Sequence, residues 1–162
     1  PGSVSIMREI TGAALTAEVL AVQSTGDKPH VGAVPSPKQC PALDYGSSFS
    51  RAVEVVDSGL RMLLISGTAS IDAEGHTLWE GAVEGQVEET MEVVWEILQS
   101  RDMCWEDTSR ATAYVRRPED MPEVRKLLEP YNLPVAFVPA VVCRDDLLFE
   151  LELDAMGAAE TG

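Results

Sequence analysis

The stretch VVCRDDLLFELELDA, residues Val141 to Ala155, decides the fold because its second half alternates strictly between apolar and acidic residues. The apolar positions are Leu147, Phe149, Leu151 and Leu153, and the acidic positions are Glu150, Glu152 and Asp154. A period of two is the period of a β-strand, so the two sets of side chains point to opposite faces. The pattern predicts a half-buried strand over Leu147–Leu153 whose acidic face is either solvated or contains a functional carboxylate.

The elements before this strand complete the predicted order β-β-α-β-α-β-β. They are a hairpin of Ala52–Val56 and Arg61–Ser66, a helix over residues 83–103, a strand at Ala111–Arg116, a helix starting at Pro118 and a strand at Pro134–Val142. A turn at residues 144–146 is expected to join the last two strands. A mixed sheet with both helices packed on one face buries the apolar stripes of these elements, so the expected fold class is α+β.

The 162 residues are enough for one globular domain with a single core. Residues 1–46 are rich in Gly, Pro, Ser and Thr and predict a partly extended N-terminal arm with one short strand or helix near Glu9–Gln23. Within the arm, residues 1–5 are typical of an expression-tag remnant. Residues 47–156 form the predicted packed domain, and residues 157–162 are expected to be a disordered tail.

Charge and composition exclude several classes of function. The chain has 12 basic and 27 acidic residues, a formal net charge of −15, which repels phosphate backbones, so we expect no nucleic-acid partner. No apolar run approaches the roughly 20 residues of a membrane helix and no signal peptide is recognisable, so we expect a cytoplasmic protein without a membrane partner. Three cysteines without C-x-x-C spacing and only two histidines predict reduced thiols and no metal site, and we expect no cofactor.

Two short segments near the predicted hairpin contain candidate ligand-binding residues. In the segment YGSSFSRA, an arginine suited to gripping a carboxylate follows two aromatic residues. In SGTAS, a glycine without a side chain allows backbone N–H groups to approach a ligand. The candidates are Tyr45, Phe49, Arg51, Ser66, Gly67 and Thr68. The competing interpretations are that the hydroxyls satisfy loop carbonyls and that Arg51 balances an acidic surface.

Cys143 and Glu150 are the candidate catalytic residues. If the helices cover the Phe149 side of the last strand, its acidic side faces water or a neighbouring subunit. A carboxylate partly buried in such an interface has a raised pKa, which suits a general acid. Cys143 has no histidine near it in sequence, so a role in shaping the pocket is favoured over a thiolate nucleophile.

Over residues 49–155 the chain resembles the Rid family, also called YjgF-like. The resemblance rests on FSRAV, LLISGTASIDAEG, GQVEETMEVVWEIL, ATAYVRRPEDMPEVRKLL and FELELDA. It implies a homotrimer with helices outside, ligand clefts between subunits, and hydrolysis of reactive imines or enamines. Gly67 and Glu150 match family positions, and Phe49 stands where a tyrosine is common. The arginine that holds the substrate carboxylate in deaminating members is missing, because the ungapped match is Val135. Arg51, Arg125 and Arg144 are the candidates for a substitute charge.

A narrower resemblance, carried by SGTAS, YVRRPEDMPEVR and VCRDDLLFELE, is to the C-terminal part of chorismatases. It implies a glutamate general acid on the last strand, at Glu150, and in some members a cysteine seven residues earlier, at Cys143. The G-x-x-F-x-R-A element of that family fits the segment from Gly46 to Ala52.

Three functions follow from these resemblances. The first is a Rid-type protein that binds a small anionic or carbonyl metabolite in an intersubunit cleft and hydrolyses imines with Glu150 as acid and base. The second is a chorismatase-like enzyme acting on chorismate or a related enolpyruvyl ether. The third is a trimer that binds a small molecule without catalysis, which the missing arginine favours over deamination.

Overall fold

The computed structural model describes residue 19, residues 21–23 and residues 29–159. These residues form one six-stranded mixed sheet and two α-helices. In chain order the elements are β1 (His30–Val34), β2 (Ala52–Asp57), β3 (Leu60–Ala69), α1 (Val83–Gln99), β4 (Thr108–Val115), α2 (Met121–Leu128), β5 (Val135–Pro139) and β6 (Phe149–Ala158). The predicted order β-β-α-β-α-β-β is therefore confirmed, with one additional strand, β1, in front of it.

The last strand lies in the middle of the sheet. The strand order is β1-β2-β3-β6-β4-β5, so β6 pairs antiparallel with both β3 and β4. The predicted turn at residues 144–146 is present between β5 and β6, but these two strands are not neighbours, because β5 pairs in parallel with β4 at the sheet edge. A parallel pair needs a crossover connection, and α2 supplies it.

The alternation along β6 separates the core from the opposite face of the sheet. Phe149, Leu151, Leu153 and Ala155 are fully buried and pack with α1 residues such as Val94. Burial of a phenylalanine or leucine side chain stabilises the fold by roughly 1.5–3 kcal/mol. The intervening carboxylates lie on the other face, so the predicted half-buried strand is confirmed. Within the described residues, neither helix is long and apolar enough to cross a membrane.

The ends of several strands differ from the sequence prediction. The predicted strand ending at Ser66 continues to Ala69, with an irregular register between Ile65 and Thr68, so SGTAS lies mostly inside β3. Gly157 and Ala158, expected in a disordered tail, are the last residues of β6. They are ordered because β3 extends back to Leu60 and offers backbone partners to them.

The arm contributes to the sheet. Its strand β1 pairs antiparallel with β2, and in the connection between them the Gln39 side chain donates to the carbonyls of Ala69 and Ile71 at the end of β3. The short element expected near Glu9–Gln23 lies almost entirely outside the described residues. The arm therefore builds one wall of the region where the candidate residues meet.

Candidate functional site

A cavity of about 470 Å³ lies between the arm and the adjoining ends of β3 and β6. Its volume falls in the range of small-molecule sites, roughly 300–1,000 Å³. The lining residues are Tyr45, Ser47, Ser48, Phe49, Arg51, Gly67, Ala69, Ile71, Cys143, Arg144 and Glu150. Both candidate catalytic residues and most of the candidate ligand-binding residues therefore share one cavity.

Glu150 projects from β6 into this cavity and lies against Gly67 of β3. A Cβ atom placed on Gly67 would lie 2.9 Å from the Glu150 Cδ atom, so only glycine leaves room for the carboxyl group. Among the described residues, no side chain donates a hydrogen bond to it or forms an ion pair with it. Burial raises the pKa of Glu150, and the charge of Glu152 raises it further. The carboxyl group is therefore protonated over a wider pH range than an exposed glutamate.

Two arginines of the cavity wall hold backbone carbonyls and no carboxylates. The Arg51 Nε and Nη2 atoms donate to the Cys40 carbonyl at 3.0 and 2.9 Å. The Arg144 Nη1 atom donates to the Gly75 carbonyl at 2.7 Å. Within the described part of the chain, neither forms an ion pair. In a chain of net charge −15, two such guanidinium groups give this cavity a local positive charge that favours an anionic ligand.

Aromatic rings hold these guanidinium groups in place. The Arg51 guanidinium carbon lies 5.4 Å from the ring centres of both Tyr45 and Phe49. The corresponding atom of Arg144 lies 5.6 Å from the Tyr45 ring. Contacts within about 6 Å of a ring are favourable and restrict the side chain. The segment YGSSFSRA thus supplies both a cation and the rings that orient it.

Cys143 lines the cavity as a neutral thiol. The residue is exposed, but partial desolvation still raises its pKa, and the nearby Glu150 charge adds to the effect more than Arg144 offsets it. A thiolate nucleophile requires a lowered pKa. The environment of Cys143 therefore fits the predicted pocket-shaping role better than nucleophilic attack.

Three candidate ligand-binding residues do not line this cavity. The Ser66 hydroxyl donates to the Ser50 carbonyl at 2.7 Å, and the buried Thr68 hydroxyl donates to the Ser66 carbonyl at 2.9 Å. The Arg125 guanidinium stacks on the Phe137 ring at 4.1 Å, beside a different surface depression. The competing interpretation of SGTAS, hydroxyls that satisfy backbone carbonyls, describes Ser66 and Thr68 in this chain.

Sequence reasoning missed several features of the site. Ser47, Ser48 and Ala69 lie inside the quoted segments YGSSFSRA and SGTAS, so their proximity was readable there. Ile71 has no comparable signal. Val135, where the arginine of the deaminating Rid proteins is missing, packs against the core. Within the described residues there is no group of three or more His, Cys, Asp or Glu side chains suited to a metal ion.

Comparison with solved structures places this geometry in a known fold. No protein-family model and no curated protein matches the sequence. A chorismatase crystal structure matches with a TM-score of 0.69 and 25% identity over 78% of this chain, which spans only 44% of that protein. The Rid-family protein YyfA from Yersinia pestis matches with a TM-score of 0.65 and 16% identity, covering 78% of this chain and 98% of that one.

A third solved structure gives the same result. It is a member of the YjgF/YER057c/UK114 family from Mycobacterium tuberculosis, with a TM-score of 0.58 and 18% identity over 78% of this chain and 98% of that one. Structural matches at such low sequence identity establish the fold, but they do not identify a reaction. The Rid-like resemblance of residues 49–155 is thereby confirmed at the level of structure, and the chain has the Rid-like fold, which it shares with part of a chorismatase.

Proposed function

We propose that the cavity binds a small metabolite with a carboxylate and a reactive carbon–nitrogen double bond, and that Glu150 catalyses hydrolysis of that bond. The proposal rests on one observation. The Glu150 carboxyl group, whose pKa is raised, shares a cavity with Arg51 and Arg144, and neither arginine has a carboxylate partner among the described residues. A carboxylate ligand would complete the charge balance of Arg51 and Arg144. Arg144 would then replace the family arginine that is missing at Val135.

Glu150 has the properties of a general acid for this reaction. Its protonated carboxyl group would donate to the imine nitrogen, which makes the carbon electrophilic. The resulting carboxylate would then accept a proton from the attacking water, which gives a carbinolamine. The carboxyl group would next donate that proton to the amino nitrogen, and the C–N bond would break as the hydroxyl group loses its proton, so that the products are a carbonyl compound and ammonia. General acid–base catalysis of this kind contributes about 10²–10⁴-fold to the rate.

The proposed working form is a homotrimer with the cavity completed by a second copy. The sheet face opposite the helices supports this, because it exposes apolar side chains next to the acidic row of β6. Val31 and Met156 on this face are 42% and 43% exposed. Such a surface gains from burial against another subunit. Mass measurement in solution tests the trimer, and a monomeric mass would contradict it.

Product release from an enzymatically generated 2-imino acid tests the proposed reaction. The wild-type protein should accelerate keto-acid formation above the rate in buffer, and Glu150→Gln should lower that acceleration about 10²–10⁴-fold. Asp145→Asn is the matched control, because Asp145 belongs to the turn beside Arg144 but its side chain is fully exposed. Equal rates for wild-type protein and Glu150→Gln would reject Glu150 as the catalyst.

A second candidate function is cleavage of an enolpyruvyl ether such as chorismate. It is favoured by the joint placement of Cys143 and Glu150 in one cavity and by the structural match to a chorismatase. Pyruvate release from chorismate, altered in rate or product by Cys143→Ala, would support it. If chorismate stays intact and imines are not turned over, while a carboxylate ligand raises the unfolding temperature, the cavity serves binding alone.

A further inference from the structure

Gln86, in the first turn of α1, is a buried polar residue that the proposed reaction does not use. Its exposed fraction is 0%. Its Oε1 atom accepts a hydrogen bond from the Leu148 backbone N–H at 2.7 Å, and its Nε2 atom donates to the Asp146 carbonyl at 2.8 Å. Because a backbone N–H only donates and a carbonyl only accepts, these partners fix the orientation of the amide. The side chain therefore ties α1 to the connection between β5 and β6, residues 140–148, which contains Arg144.

The same amide also reaches the connection between β3 and α1, residues 70–82. Its Nε2 atom donates to the Trp79 carbonyl at 3.3 Å. Trp79 has a left-handed backbone, with a φ of 52–57° excluded for most bulky residues and observed here at 57°. Its carbonyl also accepts a hydrogen bond from the Ala82 N–H at 3.0 Å. These hydrogen bonds stabilise the turn that leads into α1, and with it the segment that contains Gly75.

The two connections meet at Arg144. The Arg144 Nη1 atom donates to the Gly75 carbonyl at 2.7 Å, and this hydrogen bond joins residues 140–148 to residues 70–82. Gln86 therefore anchors both the segment that contains the guanidinium group and the segment that holds it. A binding group keeps its geometry when such supporting hydrogen bonds connect it to a rigid element, which here is α1.

Arg116, directly after β4, is a second anchor of residues 140–148. Its guanidinium group donates to the Arg144 carbonyl at 3.1 Å and to the Asp145 carboxylate at 2.7 Å. Among the described residues, its side-chain hydrogen bonds reach only this connection, whereas those of Gln86 reach both. Loss of the Gln86 amide is therefore expected to shift the two connections relative to each other, while Arg116 still holds the backbone of Arg144.

We propose that Gln86 is a positioning residue that directs the Arg144 guanidinium group toward the carboxylate of the ligand. The inference rests on the proposed function, because it requires Arg144 to bind that carboxylate. Gln86 is fully buried and does not line the cavity, so it acts on the ligand only through Arg144. A positioning effect of this kind changes the affinity for the carboxylate and disappears when the guanidinium group is removed.

Pyruvate is a suitable probe, because it belongs to the 2-keto acids released in the proposed reaction and its binding requires no turnover. Isothermal titration calorimetry measures its dissociation constant, which Arg144→Gln should raise. Gln86→Met keeps the length of the side chain and removes its hydrogen bonds. It should weaken pyruvate binding about two- to tenfold, the contribution of roughly one hydrogen bond. In the Arg144→Gln background, Gln86→Met should cause no further loss of affinity.

Thr90→Val is the matched control for Gln86→Met. Thr90 is also fully buried in α1, but its hydroxyl donates at 2.7 Å to the backbone carbonyl of Gln86, within the helix. The substitution removes a buried hydrogen bond of the same helix and should leave the dissociation constant for pyruvate unchanged. This comparison separates the positioning of Arg144 from a general effect on the stability of α1.

Equal weakening by Gln86→Met in the wild-type and Arg144→Gln backgrounds would overturn the inference, as would an unchanged dissociation constant in Gln86→Met. A second measurement applies if Gln86→Met fails to fold. In ¹H–¹⁵N NMR spectra, saturating pyruvate should shift the side-chain amide signals of Gln86 in the wild-type protein and leave them in place in Arg144→Gln. Amide signals that do not move in the wild-type protein would also overturn the inference.

The outcomes distinguish this inference from the proposed function. If Arg144→Gln weakens pyruvate binding and Gln86→Met does not, only the positioning role of Gln86 is contradicted. If both substitutions behave as expected and no imine is hydrolysed, only the proposed reaction is contradicted. If Arg144→Gln binds pyruvate as tightly as the wild-type protein, Arg144 does not hold the carboxylate and the inference fails with that assignment.

Discussion

The three carboxylates of β6 share one face of one strand, but the two ends of this row have opposite surroundings. At one end, Arg110 binds Asp154 through Nε at 2.8 Å and Glu152 through Nη2 at 2.5 Å, and the Tyr114 hydroxyl donates to Glu152 at 3.0 Å. At the other end, Glu150 faces a cavity and has no such partner among the described residues. Alternation along a strand is therefore insufficient to decide whether a carboxylate is structural or reactive.

The arginines repeat this difference. Arg110 donates to two carboxylates and its charge is neutralised locally. Arg144 donates to a backbone carbonyl, so its charge remains available to a ligand. An arginine that is paired with carboxylates has its charge neutralised within the protein. An arginine that donates only to a neutral carbonyl can still form an ion pair with a substrate. The proposed reactivity of the cavity therefore rests on charged groups that do not neutralise each other.

Among the substitutions that keep Glu150 itself, Gly67→Ala is expected to have the largest effect, because it alters the cavity end of the row and leaves the paired end intact. The added Cβ would approach within 2.9 Å of Glu150 Cδ, so the carboxyl group must move. Displacement of a catalytic group by about 1 Å costs on the order of 10²-fold in rate. Imine turnover by purified variants measures the effect.

Gly32→Ala in β1 is the matched control for Gly67→Ala. A Cβ atom there would meet only the His30 Nε2 atom, at an ordinary contact distance of 3.5 Å. Its turnover should equal that of the wild-type protein. If Gly67→Ala also retains full turnover, the close contact with Glu150 has no catalytic importance.

Arg144→Gln tests the unneutralised arginine. It should raise KM with little change in kcat, because a charge-assisted hydrogen bond to a ligand contributes about 1.5–3 kcal/mol, equivalent to roughly 10–150-fold in affinity. Arg125→Gln removes an arginine that stacks on Phe137 outside the cavity, and it should leave KM unchanged. A larger effect from Arg125 than from Arg144 would reverse the assignment of the ligand-binding arginine.

The local parts of the site were predictable from the sequence. The period of two on β6 depends only on neighbouring residues, and it separated the buried Phe149 and Leu151 from the carboxylates. Distinguishing Glu150 from Glu152 required the family resemblance, because both have the same local pattern. The structure supplies the physical difference between them, which is the guanidinium group of Arg110 from β4.

The remaining features depend on contacts that are distant in sequence. The insertion of β6 between β3 and β4 decides which loops meet, and no local pattern encodes it. Arg144 reaches a carbonyl 69 positions away, and Gln39 reaches carbonyls 30 and 32 positions away. Arg125 was a candidate because of its charge alone. Its contact with the Phe137 ring places it outside the cavity, and the local sequence around Arg125 does not show this contact.

Unfolding of Glu150→Gln across a pH series tests whether the lone carboxyl group costs stability. A raised folded-state pKa means that the folded protein holds the proton more tightly than the unfolded chain. Stability from this proton is fully present below the unfolded pKa, about 4.3, and is lost as pH rises through the folded pKa. Glutamine does not titrate, so the unfolding temperature of Glu150→Gln should rise relative to wild type as pH increases through this interval. Parallel curves would contradict the raised pKa.

Glu152→Gln should produce the smallest effect, because it changes Glu150 only through its charge. The Glu152 charge is the second cause of the raised Glu150 pKa, after burial. Removing that charge lowers the Glu150 pKa, so the general acid loses its proton at a lower pH. The high-pH limb of the kcat profile should therefore shift to lower pH while the maximum rate changes little.

Asp154→Asn is the matched control, because it also removes a carboxylate from Arg110. Asp154 is on the same face of β6 but two residues farther from Glu150 than Glu152 is. Its profile should follow that of the wild-type protein. If Glu150 acts first as a base, its titration forms the low-pH limb instead, and in Glu152→Gln that limb should move to lower pH while the high-pH limb stays in place. Which limb moves therefore decides the role of Glu150 independently of the size of any rate effect.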